Sequence, residues 1–128
     1  RPFSLMLLDL DNFKQVNDKF GHKIGDDTLK EFATVLNSSI RATDTVFRFG
    51  GDEFAILIED PEFKTNQVVS ERIMQFVKQS SLMSKHEVTV SIGYTLAMSN
   101  DCDIEIFSRA DKGLYKAKAS GRNCAKAY

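Results

Sequence analysis

Asp9 and Asp11 stand two residues apart at the polar end of the apolar run "FSLMLLDLD", and Asp52 and Glu53 stand side by side in "RFGGDEFAILIED". In an extended backbone, residues two apart project to one face, so the first pair brings two carboxylates together. They repel each other unless a cation offsets the charge. A hard ion such as Mg²⁺ suits them, since it takes carboxylate oxygens and keeps water or phosphate oxygens as its other ligands. Taken alone, the pair reads equally well as a charged strand end in water. The second pair follows Gly50 and Gly51, where the lack of a Cβ lets a bulky ligand approach the backbone. If the first strand lies beside this segment, Asp9 and Asp52 can share one or two metal ions, as in enzymes that clamp a triphosphate during in-line attack on phosphorus. The competing reading is a tight turn with solvated acids.

Two further groups carry recognition chemistry. Asn17, His22 and Asp26 fall in "NFKQVND" and "GHKIGD". An amide and a carboxylate match guanine, whose Watson–Crick edge offers N1–H and N2–H₂ donors beside the O6 acceptor. His22, after a glycine in a polar stretch, reads first as a turn residue, and Lys14 as a solvated helix charge. Lys118 and Arg122 are four apart in "YKAKASGRN". They suit either phosphate neutralisation or the negative end of a helix dipole.

The elements that must position these groups follow from periodicity. "FSLMLLDLD" reads as a buried strand. "DNFKQVNDKF" reads as a short helical segment, "GHKIGD" as a glycine-punctuated loop, and "DDTLKEFATVLNSSI" as an amphipathic helix with Leu29, Phe32, Ala33, Leu36 and Ile40 inward. "TVFRF" and "EFAILIE" are β-rich runs around paired glycines, which predicts a hairpin whose tight turn uses positive φ. "TNQVVSERIMQFVKQSS" places Val68, Val69, Ile73, Met74 and Val77 on one helical stripe. "HEVTVSIGYTLAM" alternates as a strand, and "DIEIFSRADKGLYKAKASG" is a helix with Ile106, Ala110, Leu114 and Ala117 inward, ending at Gly121. "CAKAY" closes as an edge strand. The expected architecture is an α+β sandwich with a mixed sheet, open on one face.

At 128 residues, with 42% hydrophobic and 27% charged residues, the chain is one domain with a proper core. A net charge of −1 gives no bulk attraction to nucleic acid or to an anionic membrane, so phosphate binding has to be local. No stretch approaches the roughly 20 apolar residues of a membrane span. Cys102 and Cys124 lack metal-ligand spacing and read as reduced thiols, which with the missing signal peptide predicts a cytoplasmic domain.

Taken together, "LDLDNFKQVND", "GHKIGDDTL", "RFGGDEF", "VTVSIGY" and "ADKGLYKAKASGRN" resemble, in order and over nearly the whole chain, the GGDEF family of diguanylate cyclases. The resemblance implies a ferredoxin-like palm, with a central mostly antiparallel sheet, helices packed on it and an active-site β-hairpin. It implies a Mg²⁺-dependent enzyme, with Mn²⁺ as a substitute, that condenses two GTP into cyclic di-GMP and releases pyrophosphate. Catalysis in the family uses a homodimer with one GTP per subunit. By the same resemblance Asp9, the Leu10 carbonyl and Asp52 hold the metal, and Glu53 is a further ligand or the base for the 3′-hydroxyl, the two roles staying open. Asn17 and Asp26 read guanine and His22 lies near the ribose and base. Gly50 and Gly51 leave room for the nucleotide, while the backbone at Phe13 and Lys14, with Lys118 and Arg122, holds the triphosphate.

"RATD", Arg41 to Asp44, with five residues between Asp44 and Gly50, resembles the family's inhibitory site for product, with Arg72 as an arm from a neighbouring subunit. A helix end with an Asp cap is its simpler reading. The family usually begins with a helix and a "DxLTGLxNR"-like segment, and this chain starts after that point. The sequence is therefore expected to be a domain of a larger signalling protein. The alternative function is a non-catalytic module that binds GTP or cyclic di-GMP as a receptor.

Overall fold

The computed structural model describes every residue except Arg1 and Pro61. Its elements run β1 (Ser4–Asp11), α1 (Phe13–Phe20), α2 (His22–Ser39), β2 (Thr45–Arg48), β3 (Glu53–Ile58), α3 (Phe63–Gln79), α4 (Ser81–Lys85), β4 (Thr89–Leu96), α5 (Asp103–Ala119) and β5 (Ala125–Ala127). The strands form one sheet in the order β2-β3-β1-β4-β5. All pairings are antiparallel except the edge pair β4–β5. This is the mixed, mostly antiparallel palm expected from the sequence, with α4 as an added turn of helix after α3.

Strand β1 lies at the centre, and its near-continuous apolar run is explained by burial on both sides. Met6, Leu8 and Leu10 join Phe54, Ile56, Ile58, Val90 and Ile92 against Phe32 and Leu36 of α2 and Val69, Ile73 and Val77 of α3. On the opposite face Leu7 and Ala55 pack against Ala110 and Leu114 of α5. The expectation of a sheet open on one face is therefore corrected, because α5 covers β4 and β1 there. That contact is close because glycine meets helix backbone: a Cβ on Gly93 would lie 1.9 Å from the Leu114 nitrogen. Val68 is likewise corrected, since it is 45% exposed and only the rest of its stripe turns inward.

Two backbone expectations also change. "GHKIGD" is not a loop. Gly21, at φ 90°, is the single break between α1 and α2, and His22 already begins α2. In the hairpin neither Gly50 nor Gly51 has a positive φ; among the described residues the positive-φ glycines are Gly21 and Gly121, both outside the hairpin. The pairing Arg48↔Phe54 leaves a loop longer than two residues, which reverses the chain without the left-handed backbone that tight turns need.

Candidate active site

The polar end of β1 and the 49–53 loop meet where the Leu10 amide donates to the Asp52 carbonyl at 3.3 Å. This contact sets the Asp52 and Asp9 carboxyl groups against each other. Burial, then a hydrogen bond with Asp9 and its charge, push the Asp52 carboxyl up to about 6. Lys118, from the last turn of α5, donates to Asp9 and forms an ion pair with it. A cleft of about 350 Å³ opens here, lined by residues Asp9 to Gln15, Asp52, Lys118 and Arg122. The N-terminus of α1 forms one wall. The first α1 amide bonded within that turn is Val16, to the Asn12 carbonyl, so the amides of Phe13 and Lys14 precede the helix's own bonding at the end of α1 that lines the cleft.

Asp11 does not share this role. It is 4% exposed and accepts from Thr89 Oγ1 at 2.6 Å, Ser91 Oγ at 2.7 Å and the Asn123 amide at 3.0 Å. The reading of Asp9 and Asp11 as a pair sharing one cation does not hold, because Asp11 is already saturated by donors from β4 and the chain after α5, whereas Asp9 faces Asp52.

The hairpin loop is held from below by Arg48, whose guanidinium donates to the carbonyls of Gly50 and Gly51, the shortest bond being 2.7 Å. Sequence reasoning missed this buttress, although its signal is an arginine directly preceding the loop. Around Gly51 a Cβ would meet nothing within 4 Å, so the space is open. At Gly50 it would meet Glu53 Oε1 at 2.4 Å. The Glu53 side chain thus folds back over Gly50 and does not line the cleft with Asp9 and Asp52, though its charge still contributes to raising Asp52.

Gly25, next to Asp26 in α2, is where Asn17 of α1 meets that helix. A Cβ there would fall 1.8 Å from Asn17 Oδ1, so the amide rests on the bare backbone of α2 next to Asp26. Asp26 is exposed and lines a second groove of about 450 Å³ with Leu29, Val46, Arg48 and Phe54. His22 is exposed in the first turn of α2, and Lys14 pairs with exposed Asp18 at 3.4 Å.

The "RATD" segment has an asymmetric structure. Asp44 has a fully buried side chain whose oxygens accept from the amides of Arg41 and Glu59, both at 3.1 Å. Arg41 is exposed, with Asp44 and Asp60 carboxylates at 3.6 and 3.8 Å. Arg72 donates to the Ser39 carbonyl at 2.9 Å, capping the end of α2 in the same chain.

The site's chemistry fits a divalent cation. Among the described residues no group of three or more His, Cys, Asp or Glu side chains converges to hold an ion. Two close carboxyls, one raised by burial and by the other, plus a neighbouring carbonyl, nevertheless form a hard oxygen set that leaves positions for phosphate oxygens, an arrangement suited to a hard divalent cation.

Comparison with known proteins identifies the family and the fold. The family model described as "Diguanylate cyclase, GGDEF domain" matches residues 1–124. Diguanylate cyclase DgcS of Shewanella oneidensis is 45% identical over 123 residues, covering 96% of this chain and 41% of that protein. The response regulator PleD of Caulobacter vibrioides is 43% identical over 128 residues, covering 95% of this chain and 28% of PleD. The chain thus spans less than half the length of these relatives. Among solved structures, the active GGEEF domain of a diguanylate cyclase from Vibrio cholerae superposes with a TM-score of 0.90 at 35% identity, covering 100% of this chain and 83% of that one. The GGDEF domain of DgcB from Caulobacter crescentus, in complex with c-di-GMP, gives 0.88 at 30% identity, covering 98% and 77%.

Proposed function

The chain belongs to the GGDEF family of diguanylate cyclases, and from that premise we propose that this domain condenses two GTP into cyclic di-GMP and two pyrophosphates. The observation that carries the reading is the Asp9–Asp52 carboxyl pair, set at the mouth of a cleft whose other walls are the α1 N-terminus, Lys118 and Arg122. Asp9, Asp52 and the Leu10 carbonyl would hold Mg²⁺, or Mn²⁺ in its place, and Glu53 would reach the ion by rotating off Gly50. When bound, the cation supplies positive charge to the phosphate oxygens. The α1 amides, Lys118 and Arg122 bind and orient the triphosphate tail, while Asn17 and Asp26 pair with the guanine edge and His22 borders the ribose.

In each of two condensations, the 3′-oxygen of one GTP forms a bond to the α-phosphorus of the other, the α–β bridging bond breaks, and pyrophosphate leaves. The 3′ proton passes to an acidic side chain, Asp52 or Glu53. One cleft holds one GTP, so a second copy of the domain supplies the other, and we assign a homodimer to the reaction.

Product inhibition is assigned to the exposed Arg41 fork, with Arg72 of a neighbouring subunit as a second arm, and Asp44 holds the turn from which Arg41 projects. No helix of the described residues is long and apolar enough to cross a membrane. We place the domain in the cytoplasm, where GTP is available, as one part of a larger signalling protein.

The test is incubation of the protein with GTP and Mg²⁺. Cyclic di-GMP and pyrophosphate should accumulate in a 1:2 ratio, and Asp52→Ala should abolish both. Binding of GTP or cyclic di-GMP by calorimetry with no turnover would establish the receptor reading instead.

A further inference from the structure

The chain after α5 holds an unusual backbone. Gly121, Arg122 and Asn123 have φ of 107°, 65° and 51°, three consecutive residues on the left-handed side of the map. Glycine adopts this region freely and asparagine tolerates it, but arginine does not, because its Cβ crowds the following carbonyl. A turn of this kind persists when its surroundings hold it. On the helix side, the Gly121 and Arg122 amides donate to the carbonyls of Lys118 and Ala117 at 3.3 and 3.0 Å. On the sheet side the anchor is Asp11. One of its oxygens accepts the Asn123 amide at 3.0 Å, and the other lies 3.9 Å from Arg122 Nε. Thr89 and Ser91 orient that carboxylate from the neighbouring strand. Asp11 therefore links the central strands to the turn that carries Arg122, whose side chain is 57% exposed at the cleft.

We propose that Asp11 is a positioning residue for nucleotide binding, holding the left-handed Gly121–Asn123 turn so that Arg122 faces the phosphate cleft. The inference rests on the proposed function, since it takes the cleft to bind a nucleoside triphosphate. A buried acid serving stability alone would need the same hydroxyl partners. The turn distinguishes the two roles, because it connects Asp11 to a cleft residue.

The test is calorimetry of the whole protein with Mg²⁺ and a non-reactive GTP analogue that has a methylene bridge between the α and β phosphorus atoms. It compares wild type, Asp11→Asn, Arg122→Ala and the double variant. Asp11→Asn keeps the shape but sets an amide N–H₂ against one of the donors. It is expected to weaken binding roughly tenfold, the scale of one lost charge-assisted hydrogen bond. In the Arg122→Ala background it should weaken binding no further, because the group it positions is gone. Losses that multiply in the double variant, or a lowered melting temperature with an unchanged Kd in Asp11→Asn, would overturn the inference. If Asp11→Asn does not fold, Asn123→Ala reads the same turn by disfavouring its left-handed φ. It should weaken binding in the wild-type background and not in Arg122→Ala, and an unchanged Kd counts against the proposal. Wild-type protein that fails to bind the analogue would overturn the functional reading itself and this inference with it.

Discussion

Replacing Asp52 by asparagine should make the metal-free protein more stable at neutral pH while removing its activity. Burial and the neighbouring Asp9 raise the Asp52 carboxyl from 3.8 to about 6, so the folded chain disfavours the ionised form. The step from 3.8 to about 6 converts to about 3 kcal/mol as a ceiling. Asp52 is only half-buried, and solvent screening reduces this to about 1 kcal/mol. The sign follows from proton linkage: the native state holds the proton more tightly than the unfolded state, so stability falls as pH rises. The penalty is absent below about pH 3.8, grows toward pH 6 and is complete above it. Asparagine removes the charge and still donates to Asp9. Urea denaturation in the presence of a chelator should show Asp52→Asn more stable than wild type by about 1 kcal/mol at pH 7.5, roughly 4 °C in Tm, with the gain shrinking toward pH 4.5. Added Mg²⁺ should then stabilise wild type and leave Asp52→Asn little changed. A variant no more stable than wild type at pH 7.5, or equally favoured across the whole range, would refute this account of the carboxyl pair.

Three glycines give further tests. Gly51→Ala meets open space and should change stability by less than about 0.5 kcal/mol, yet it should lower cyclic di-GMP synthesis measured by chromatography if that space belongs to the nucleotide. Gly25→Ala would put its Cβ 1.8 Å from Asn17 Oδ1, so the amide must swing away. The KM for GTP should rise and discrimination against ATP should narrow, with little change in Tm. Gly93→Ala would place a methyl 1.9 Å from the backbone of α5, where neither chain can yield. A loss of about 3 kcal/mol or more in chemical denaturation is expected.

Much of the fold was legible because local periodicity reports burial. The inward faces of α2 and α5 and the alternation of β4 were readable in this way, and most of the stripe on α3 was as well. The exceptions share a cause. Val68 fits the α3 period but lies past the edge of the face the sheet covers. The first turn of α2 was hidden in "GHKIGD" because its glycines suggest a loop, whereas Gly25 is a contact point for Asn17. The paired glycines Gly50 and Gly51 suggest both a positive-φ turn and room beside the backbone; neither has a positive φ, and the open space is found at Gly51. In "RATD" both polar residues looked equally available, and only the packing shows Asp44 buried under backbone amides with Arg41 in solvent.

The sequence by itself determined the strand and helix types, the family and the set of residues from which a phosphate-handling site is built. These depend on neighbours within a few positions or on ordered motifs. Asp9 and Asp11, which the family resemblance alone distinguishes, show what local pattern leaves open. They are the same residue type, two apart on one strand and on one face, and nothing local separates them. Tertiary structure decides between them through partners distant in the chain: Asp52 and Lys118 come to Asp9, and Thr89, Ser91 and Asn123 come to Asp11. A carboxylate's role follows from which donors reach it, and those donors are set by strand register and by where α5 ends. One acid is therefore left at the cleft facing Asp52 and Lys118, and the other is enclosed as part of the frame.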